Sequence, residues 1–328
     1  MRQKNGSIRH LATIIDEDLE SRETGLSKPQ RIGLGDIAAS VLTCRSVNTS
    51  EIANILPRVV KSEEEKYRFI NRWLSNSNIK PMKVMKGFIP EIIEGITAQG
   101  QTAILMLDQS KIGKGFECLM VSLRVGERAI PVAWRVKETK GEMGYDEQEP
   151  LLKEVYNLIP KGIKIMLAAD RFYGTAALIF LCQQFGWQYR IRLKGNLNLF
   201  HEEGGVMNAQ EAKKLGLDKL ENVRLGEKGP LIQVGLLHEA GHPEAWYIAM
   251  DTQPTLGRIL DYGLRWGIEA LFSDLKTRGF SVTKTQLKHA DRIERLLLVL
   301  TIALYWAVST GMQPRPHTKI SKKKLSDL

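Results

Sequence analysis

Three carboxylates in this chain lie at positions where acidic side chains are commonly catalytic. Asp108 follows the short apolar run TAILML, and Asp170 follows KIMLAA, so each aspartate stands at the end of a predicted buried strand. Glu269 lies in a third stretch, DYGLRWGIEALFSDLKTRGF. An aspartate at a strand end can equally form a loop or cap a helix. Two of them at equivalent strand ends favour a shared site, because neighbouring strands would bring the carboxylates together.

This set of carboxylates suits a hard divalent cation. Oxygen ligands with no His or Cys near them are typical of magnesium or manganese sites. Two such ions about 4 Å apart can activate a water or a 3′-hydroxyl and stabilise the leaving oxygen of a phosphodiester. Asp108, Asp170 and Glu269 are therefore candidate ligands of a two-metal centre.

A polar stripe surrounds Glu269 in its predicted helix, residues 261–280. Tyr262, Arg265 and Lys276 join Glu269 within an arc about 60° wide and roughly 21 Å long on a helix with 3.6 residues per turn. The opposite face is apolar and predicts a buried back, formed by Leu264, Ile268, Leu271 and Leu275. A solvated polar face is the alternative. Beside a metal-binding glutamate, Arg265 and Lys276 suit the clamping of phosphate groups.

The elements that position these residues predict an α/β fold after a helical start. From residue 101 the order is three strands, helix, strand, helix, strand, which is an α/β layer pattern. The predicted strands are 102–107, 116–125, 127–136, 164–169 and 187–193, and the predicted helices are 147–158, 174–185 and 289–309. The predicted organisation is a helical region at 1–100, a first core part at 101–195, a β-rich insertion at 196–253, a C-terminal helical core part at 254–311 and a basic tail at 312–328.

The helical region at 1–100 is rich in basic residues. Arg68 and Arg72 are one turn apart in a predicted helix over 62–76, so both could face a phosphate backbone. The region is interpreted as an N-terminal DNA-binding region. The alternative is a small helical bundle with solvated arginines.

The composition and charge of the chain favour some classes of binding partner over others. The chain has 328 residues, a net charge of +10 and a pI of about 9.4, which favours a polyanion, with nucleic acid ahead of an anionic membrane. Its three cysteines are isolated and form neither a disulfide framework nor a zinc motif, so reduced thiols in a cytoplasmic protein are expected. No signal peptide is evident, and the longest apolar run, Leu296 to Val308, is too short to span a bilayer. We therefore expect no membrane partner.

The spacing Tyr262-x2-Arg265-x3-Glu269-x6-Lys276 resembles the YREK signature of DDE transposases in the bacterial insertion-sequence family numbered four. Asp108 in LDQS and Asp170 in DRFYGT resemble the two aspartate motifs of that family. The resemblance covers roughly residues 34–310. It implies an RNase H-like catalytic core with a β-rich insertion between the second aspartate and the glutamate.

The resemblance also implies a function and a set of partners. Asp108, Asp170 and Glu269 would bind two magnesium ions, with manganese as a substitute, and catalyse strand cleavage and strand transfer in cut-and-paste transposition. The DNA partners would be the terminal inverted repeats and the target, and a homodimer is expected in the DNA complex. Tyr262, Arg265 and Lys276 would contact DNA near the cleaved end. Trp246 is a candidate for stacking on a flipped base, although a tryptophan in a strand is commonly a core residue.

Two other readings compete with an active transposase. A DNA-binding regulator or a site-specific nuclease derived from a transposase would keep the fold, although the presence of all three acids argues against an inactive copy. A metabolic α/β enzyme that binds a nucleotide would need a phosphate-binding glycine loop, and the chain contains no GxGxxG motif.

Overall fold

The computed structural model of the chain describes residues 2–238 and 244–312. The predicted basic tail therefore lies almost entirely outside the described residues. Six helices form the first part of the fold: α1 Arg2–Ser21, α2 Lys28–Cys44, α3 Thr49–Ile55, α4 Glu63–Ser75, α5 Pro81–Met85 and α6 Ile89–Thr97. The described residues before Ala103 contain no strand.

Small residues let these helices pack closely. A Cβ on Gly33 of α2 would lie 2.7 Å from the Trp73 ring of α4, and the Trp73 indole donates a hydrogen bond to the Gln30 carbonyl at 2.9 Å. The same helix buries a charged residue, Asp36, whose carboxylate lies 3.6 Å from the Arg58 guanidinium. Burial raises the pKa of Asp36 to about 6, against a smaller lowering by Arg58.

A ten-stranded sheet runs through the rest of the chain. Its strands are β1 Ala103–Lys111, β2 Phe116–Val125, β3 Arg128–Glu138, β4 Ile165–Ala169, β5 Gln188–Arg192, β6 Asn198–His201, β7 Val206–Asn208, β8 Lys219–Leu225, β9 Leu231–Leu237 and β10 Trp246–Met250. Their order is β3-β2-β1-β4-β5-β10-β9-β8-β6-β7. Strands β1, β4 and β5 are parallel, and the other pairs are antiparallel. The fold is mixed α/β with a large, mostly antiparallel sheet.

Strand β10 joins the predicted insertion to the core sheet. It pairs with β5 on one side and with β9 on the other. The Leu193 amide donates to the Tyr247 carbonyl at 2.7 Å just beyond that pairing. Strands β6 to β10 therefore continue the core sheet and do not form a sheet of their own.

The remaining helices are α7 Tyr145–Tyr156, α8 Ala176–Phe185, α9 Ala209–Lys214, α10 Leu256–Leu260, α11 Trp266–Ser273 and α12 Ala290–Met312. Helix α12 packs against β3 and α2. There the Trp134 indole donates to the Glu294 carbonyl at 3.1 Å, and the Val136 amide donates to the Glu294 carboxylate at 2.9 Å.

Helix α12 contains the apolar run that the sequence predicts. Ala290–Thr310, which includes the run from Leu296 to Val308, is long and apolar enough to cross a membrane by length and composition alone. Within the fold, 61% of its apolar stretch is buried by protein, as in a core helix.

Candidate active site

The two aspartates occupy equivalent positions on neighbouring parallel strands. Leu107 of β1 pairs with Ala169 of β4, so Asp108 and Asp170 are the next residues on strands about 4.8 Å apart. Asp170 directly follows the end of β4. Asp108 lies inside β1, which continues to Lys111 beside β2, so the prediction that it ends its strand was wrong. The expected proximity of the two strand positions holds, because the parallel pairing stops just before the aspartates.

Backbone amides orient both carboxylates. The Gln109 amide donates to Asp108 Oδ1 at 2.8 Å, and the Phe172 amide donates to Asp170 Oδ1 at 2.8 Å. The Tyr173 amide donates to the Asp170 carbonyl at 3.1 Å, so the chain turns sharply after β4. Each aspartate keeps its other oxygen for a further partner.

Gly174 allows this turn to pack against β5. A Cβ on Gly174 would lie 2.5 Å from the Arg192 carbonyl oxygen, so Gly174→Ala must displace backbone. We expect a loss of about 1–3 kcal/mol in the free energy of unfolding, measured by urea denaturation. Gly257→Ala is the matched control, since a Cβ there meets no atom within 4 Å. Equal stability of the two variants would contradict the prediction.

The stretch that carries Glu269 is helical but not one regular α-helix. Asp261–Arg265 is a 3₁₀ segment, α11 follows, and Asp274–Arg278 is a π segment. Tyr262 and Arg265 are 3% and 8% exposed, so the predicted solvent-facing stripe is buried at its start. The apolar back is buried at Ile268, Leu271 and Leu275, as predicted.

Arg265 links two of the three acids. Its guanidinium donates to Asp108 Oδ2 at 3.2 Å and forms a hydrogen-bonded ion pair with Glu269. Burial opposes the charge, but Tyr262, Asp108 and Glu269 together raise the pKa of Arg265, so it stays protonated. Its Nε is buried and has no hydrogen-bond acceptor within the described part of the chain. Arg265 thus takes the place that a cation between Asp108 and Glu269 would take.

Lys276 approaches the same site from the π segment. Its ammonium group donates a hydrogen bond to the Ser110 hydroxyl of β1. Burial lowers the pKa of Lys276, while the charges of Glu117 and Asp108 oppose that shift. The π segment places Lys276 over β1, two residues beyond Asp108. Single-turn π segments are frequent at functional sites.

Gly279 ends the π segment. A Cβ on Gly279 would collide with the Asp274 carbonyl oxygen, which accepts the hydrogen bond from the Phe280 amide at 3.0 Å. Gly279→Ala is therefore expected to shift Lys276 and to lower the rate of the reaction at this site about tenfold or more, since small misplacements of charged groups at such sites are costly. The control is Gly95→Ala in α6, where a Cβ meets nothing within 4 Å. An unchanged rate in Gly279→Ala would argue against a positioning role for the segment.

A cavity of about 720 Å³ opens over the two aspartates. Its charged lining residues are Asp108, Asp170, Glu117, Glu142, Lys111, Lys140 and Lys276. Burial raises the pKa of Asp108 to about 6; Arg265 lowers it, and the charges of Asp170 and Glu269 raise it further. Asp170 and Glu269 are therefore each within electrostatic reach of Asp108.

Two of the three acids offer donor atoms that suit a divalent cation. Asp108 and Asp170 offer hard oxygen donors to one cavity, which fits magnesium or manganese. Within residues 2–238 and 244–312, no three His, Cys, Asp or Glu side chains are grouped closely enough to hold a metal ion. Glu269 does not line that cavity, and Arg265 forms ion pairs with both Glu269 and Asp108.

Aromatic residues flank the stripe. Trp246 of β10 packs edge-to-face on Tyr262, with ring centroids 5.1 Å apart, and on Trp266 at 5.8 Å. Trp246 is partly buried, whereas Trp266 is 50% exposed. The structure thus brings the predicted Trp246 to Tyr262. Trp266 was not among the predicted site residues, although its position inside the YREK-like stretch was a usable signal.

Parallel strands that place two aspartates in one cavity beside an Arg–Glu pair define a candidate hydrolytic or phosphoryl-transfer site in an α/β fold. Residues 148–306 match the family model described as the transposase DDE domain. The matched span includes Asp170 and Glu269 and begins after Asp108. The match supports a DDE transposase, and a domain of this kind implies DNA cleavage of the transposase type.

One solved structure shows a distant similarity to the chain. It is Ciona intestinalis endonuclease V in complex with DNA, which is 14% identical and covers 61% of this chain and 86% of that chain, with a TM-score of 0.28. A TM-score this low defines neither the fold nor the function of the chain. No curated protein matches the chain at a significant level.

Proposed function

We propose that the chain is a cut-and-paste transposase of the YREK type, acting on the terminal inverted repeats of a bacterial insertion sequence. The observation that carries the proposal is the placement of Asp108 and Asp170 at one level of parallel strands, with Arg265 joining Asp108 to Glu269. The family match supports the same chemistry. An RNase H-like core is proposed from the strand order β3-β2-β1-β4-β5 with β2 antiparallel.

Each side chain of the site is assigned a separate role in the proposed reaction. Asp108, Asp170 and Glu269 would hold magnesium, or manganese in its place, which supplies an activated hydroxyl and stabilises the leaving oxygen. Arg265 would leave the acids and bind a DNA phosphate, since its guanidinium suits both partners. Lys276 would contact a second phosphate, and Tyr262 would support Trp246 against a base near the cleaved end.

Contacts beyond the core are proposed for α4. A cavity of about 970 Å³ is lined there by four arginines, Arg58, Arg68, Arg72 and Arg292. Arg58, Arg68 and Arg72 belong to the N-terminal helical region and Arg292 to α12, and their charge supports DNA binding by the N-terminal helical region beside α12. We further propose that two protomers act together on two DNA ends.

The deciding experiment is magnesium-dependent nicking of terminal DNA by wild type and Glu269→Gln. Nicking by the wild type alone is the expected result. The matched control is Glu94→Gln, an exposed glutamate of α6. DNA binding without nicking by the wild type would replace the proposal with a regulator, and nicking without excision of a donor element in cells would indicate a site-specific nuclease.

A further inference from the structure

A second cavity adjoins the catalytic aspartates along the sheet. It has a volume of about 970 Å³ and lies between the end of β5 and helix α9. The cationic residues of its lining are Arg171, Arg192, Lys194, Lys213 and Lys214. Its one acidic lining residue within the described part of the chain is Glu244. We call this cavity the basic groove.

The basic groove begins at the level of the two aspartates. Ala169 of β4 pairs with Ile191 of β5, so Asp170 and Arg192 are the next residues on neighbouring parallel strands. Asp108, Asp170 and Arg192 therefore stand in one row across three strands and project from the same face of the sheet. Arg171 directly follows Asp170. A strand bound at the aspartates thus has a cationic path leading away from them.

Glu244 neutralises the start of this path. Its carboxylate accepts hydrogen bonds from Arg171 at 2.9 Å and from Arg192 at 2.9 Å. The hydrogen bond from Arg171, and then the charges of Arg171 and Arg192, lower the pKa of Glu244, so the carboxylate is ionised at neutral pH. One carboxylate that receives two guanidinium groups has the charge and the acceptor geometry of a phosphate group.

The far end of the groove carries cations that face solvent. Lys194 follows β5, Lys214 ends α9, and both are exposed. An exposed lysine is a point charge suited to the backbone of a nucleic acid and carries no sequence information. The groove therefore combines a neutralised inner end with an electropositive outer end.

We propose that the basic groove binds the phosphate backbone of the DNA strand that leads away from the catalytic aspartates, and that Glu244 holds the position of one phosphate until DNA displaces it. The inference deepens the proposed function and rests on it. It assigns Arg171, Arg192, Lys194 and Lys214 to backbone contacts. Glu244 is a competitor for DNA, so its removal strengthens binding.

The test is DNA affinity as a function of salt, without divalent metal so that no cleavage occurs. A labelled random-sequence duplex is titrated with wild type, with the double variant Lys194→Gln/Lys214→Gln, and with Glu244→Gln. Losing two phosphate contacts is expected to reduce the slope of log affinity against log salt by about 1.8. Glu244→Gln is expected to bind DNA about two- to fivefold more tightly. This change corresponds to the free energy that an exposed ion pair usually contributes.

Matched control variants distinguish the effect of charges in the basic groove from the effect of the overall charge of the protein. Lys161→Gln removes an exposed lysine before the start of β4, at the opposite end of the strand from Asp170, and is expected to keep the wild-type slope. Glu94→Gln removes a remote carboxylate and is expected to keep the wild-type affinity. Thermal unfolding of every variant reports whether Glu244 acts only as a structural clamp on β10.

Two results would overturn the inference and leave the proposed function standing. One is wild-type DNA binding with an unchanged salt slope in the double lysine variant. The other is unchanged affinity and lower thermal stability in Glu244→Gln. Absence of DNA binding by the wild type would instead remove the proposed function, and the groove assignment with it.

Discussion

Asp108→Asn is expected to lower the rate of magnesium-dependent DNA cleavage at least about a thousandfold, which corresponds to about 4 kcal/mol of activation free energy. The amide keeps the shape of the side chain and can still accept the Gln109 hydrogen bond. It removes the negative charge that a divalent cation needs and that Arg265 pairs with. The measurement is single-turnover cleavage of labelled terminal DNA at saturating protein.

The controls distinguish chemistry from folding and binding. Asp170→Asn is expected to lose as much activity, since Asp170 directly follows β4 at the level of Asp108. Asp146→Asn replaces an exposed aspartate of α7 and is expected to cleave like wild type. All three variants are expected to bind DNA. Retained metal-dependent cleavage in Asp108→Asn or Asp170→Asn would refute the assignment of these residues as metal ligands.

Asp36→Asn is expected to stabilise the protein by about 3 kcal/mol at pH 8 and to leave its stability unchanged at pH 3. The reason is the buried position of Asp36 on α2, which raises the pKa of the carboxyl to about 6 in the folded protein, against about 3.9 in an unfolded chain. A difference of about two pH units corresponds to about 3 kcal/mol. Urea denaturation across the pH range measures it.

The direction of the pH dependence of stability follows from the number of protons that the Asp36 carboxyl binds in the folded and unfolded states. Below pH 4 the carboxyl is protonated in both states and contributes nothing. Between about pH 4 and 6 the folded state binds more protons than the unfolded state, so stability falls as pH rises. Above pH 6 the full penalty remains. Asp108 gives a slope of the same sign in the metal-free protein, so the informative quantity is the difference between wild type and Asp36→Asn.

Replacement of Arg58 is expected to change the stability in the opposite direction from Asp36→Asn. Its guanidinium lowers the pKa of Asp36 and stacks on the Phe69 ring at 3.8 Å. Arg58→Met keeps an apolar contact with Phe69 and removes the charge, so we expect lower stability at pH 8 than in wild type. A flat pH profile for the difference between wild type and Asp36→Asn would contradict the burial argument.

The sequence predicted the strands of the core well, because short apolar runs between polar turns are a local signal. Strand β2 has the predicted bounds, 116–125. Strands β1 and β3 extend further than predicted, since pairing with β2 holds polar residues such as Gln109 and Lys137 in the sheet. The joining of the insertion to the core was not predictable from local pattern, because it depends on β10 pairing with β5.

For the site, the residue types were predictable and their environments were not. Helical periodicity put Tyr262 and Arg265 on a polar stripe, but their partners, Trp246 and Asp108, come from distant strands that bury them. The change from 3₁₀ to α to π within one stretch has no signature in a 3.6-residue period. Charge spacing alone also could not show that Arg265 pairs with two of the acids.

The pairing of β10 with β5 has a consequence for dissecting the protein. Excision of residues 196–253 would leave β5 as an edge strand paired only with β4, with the amides and carbonyls that face β10 unpaired beside the buried side chains of Tyr189 and Ile191. Such an edge is a template for intermolecular β-pairing. A minimal catalytic fragment made in this way is expected to aggregate unless a charged residue or proline blocks β5, because β10 no longer covers that edge.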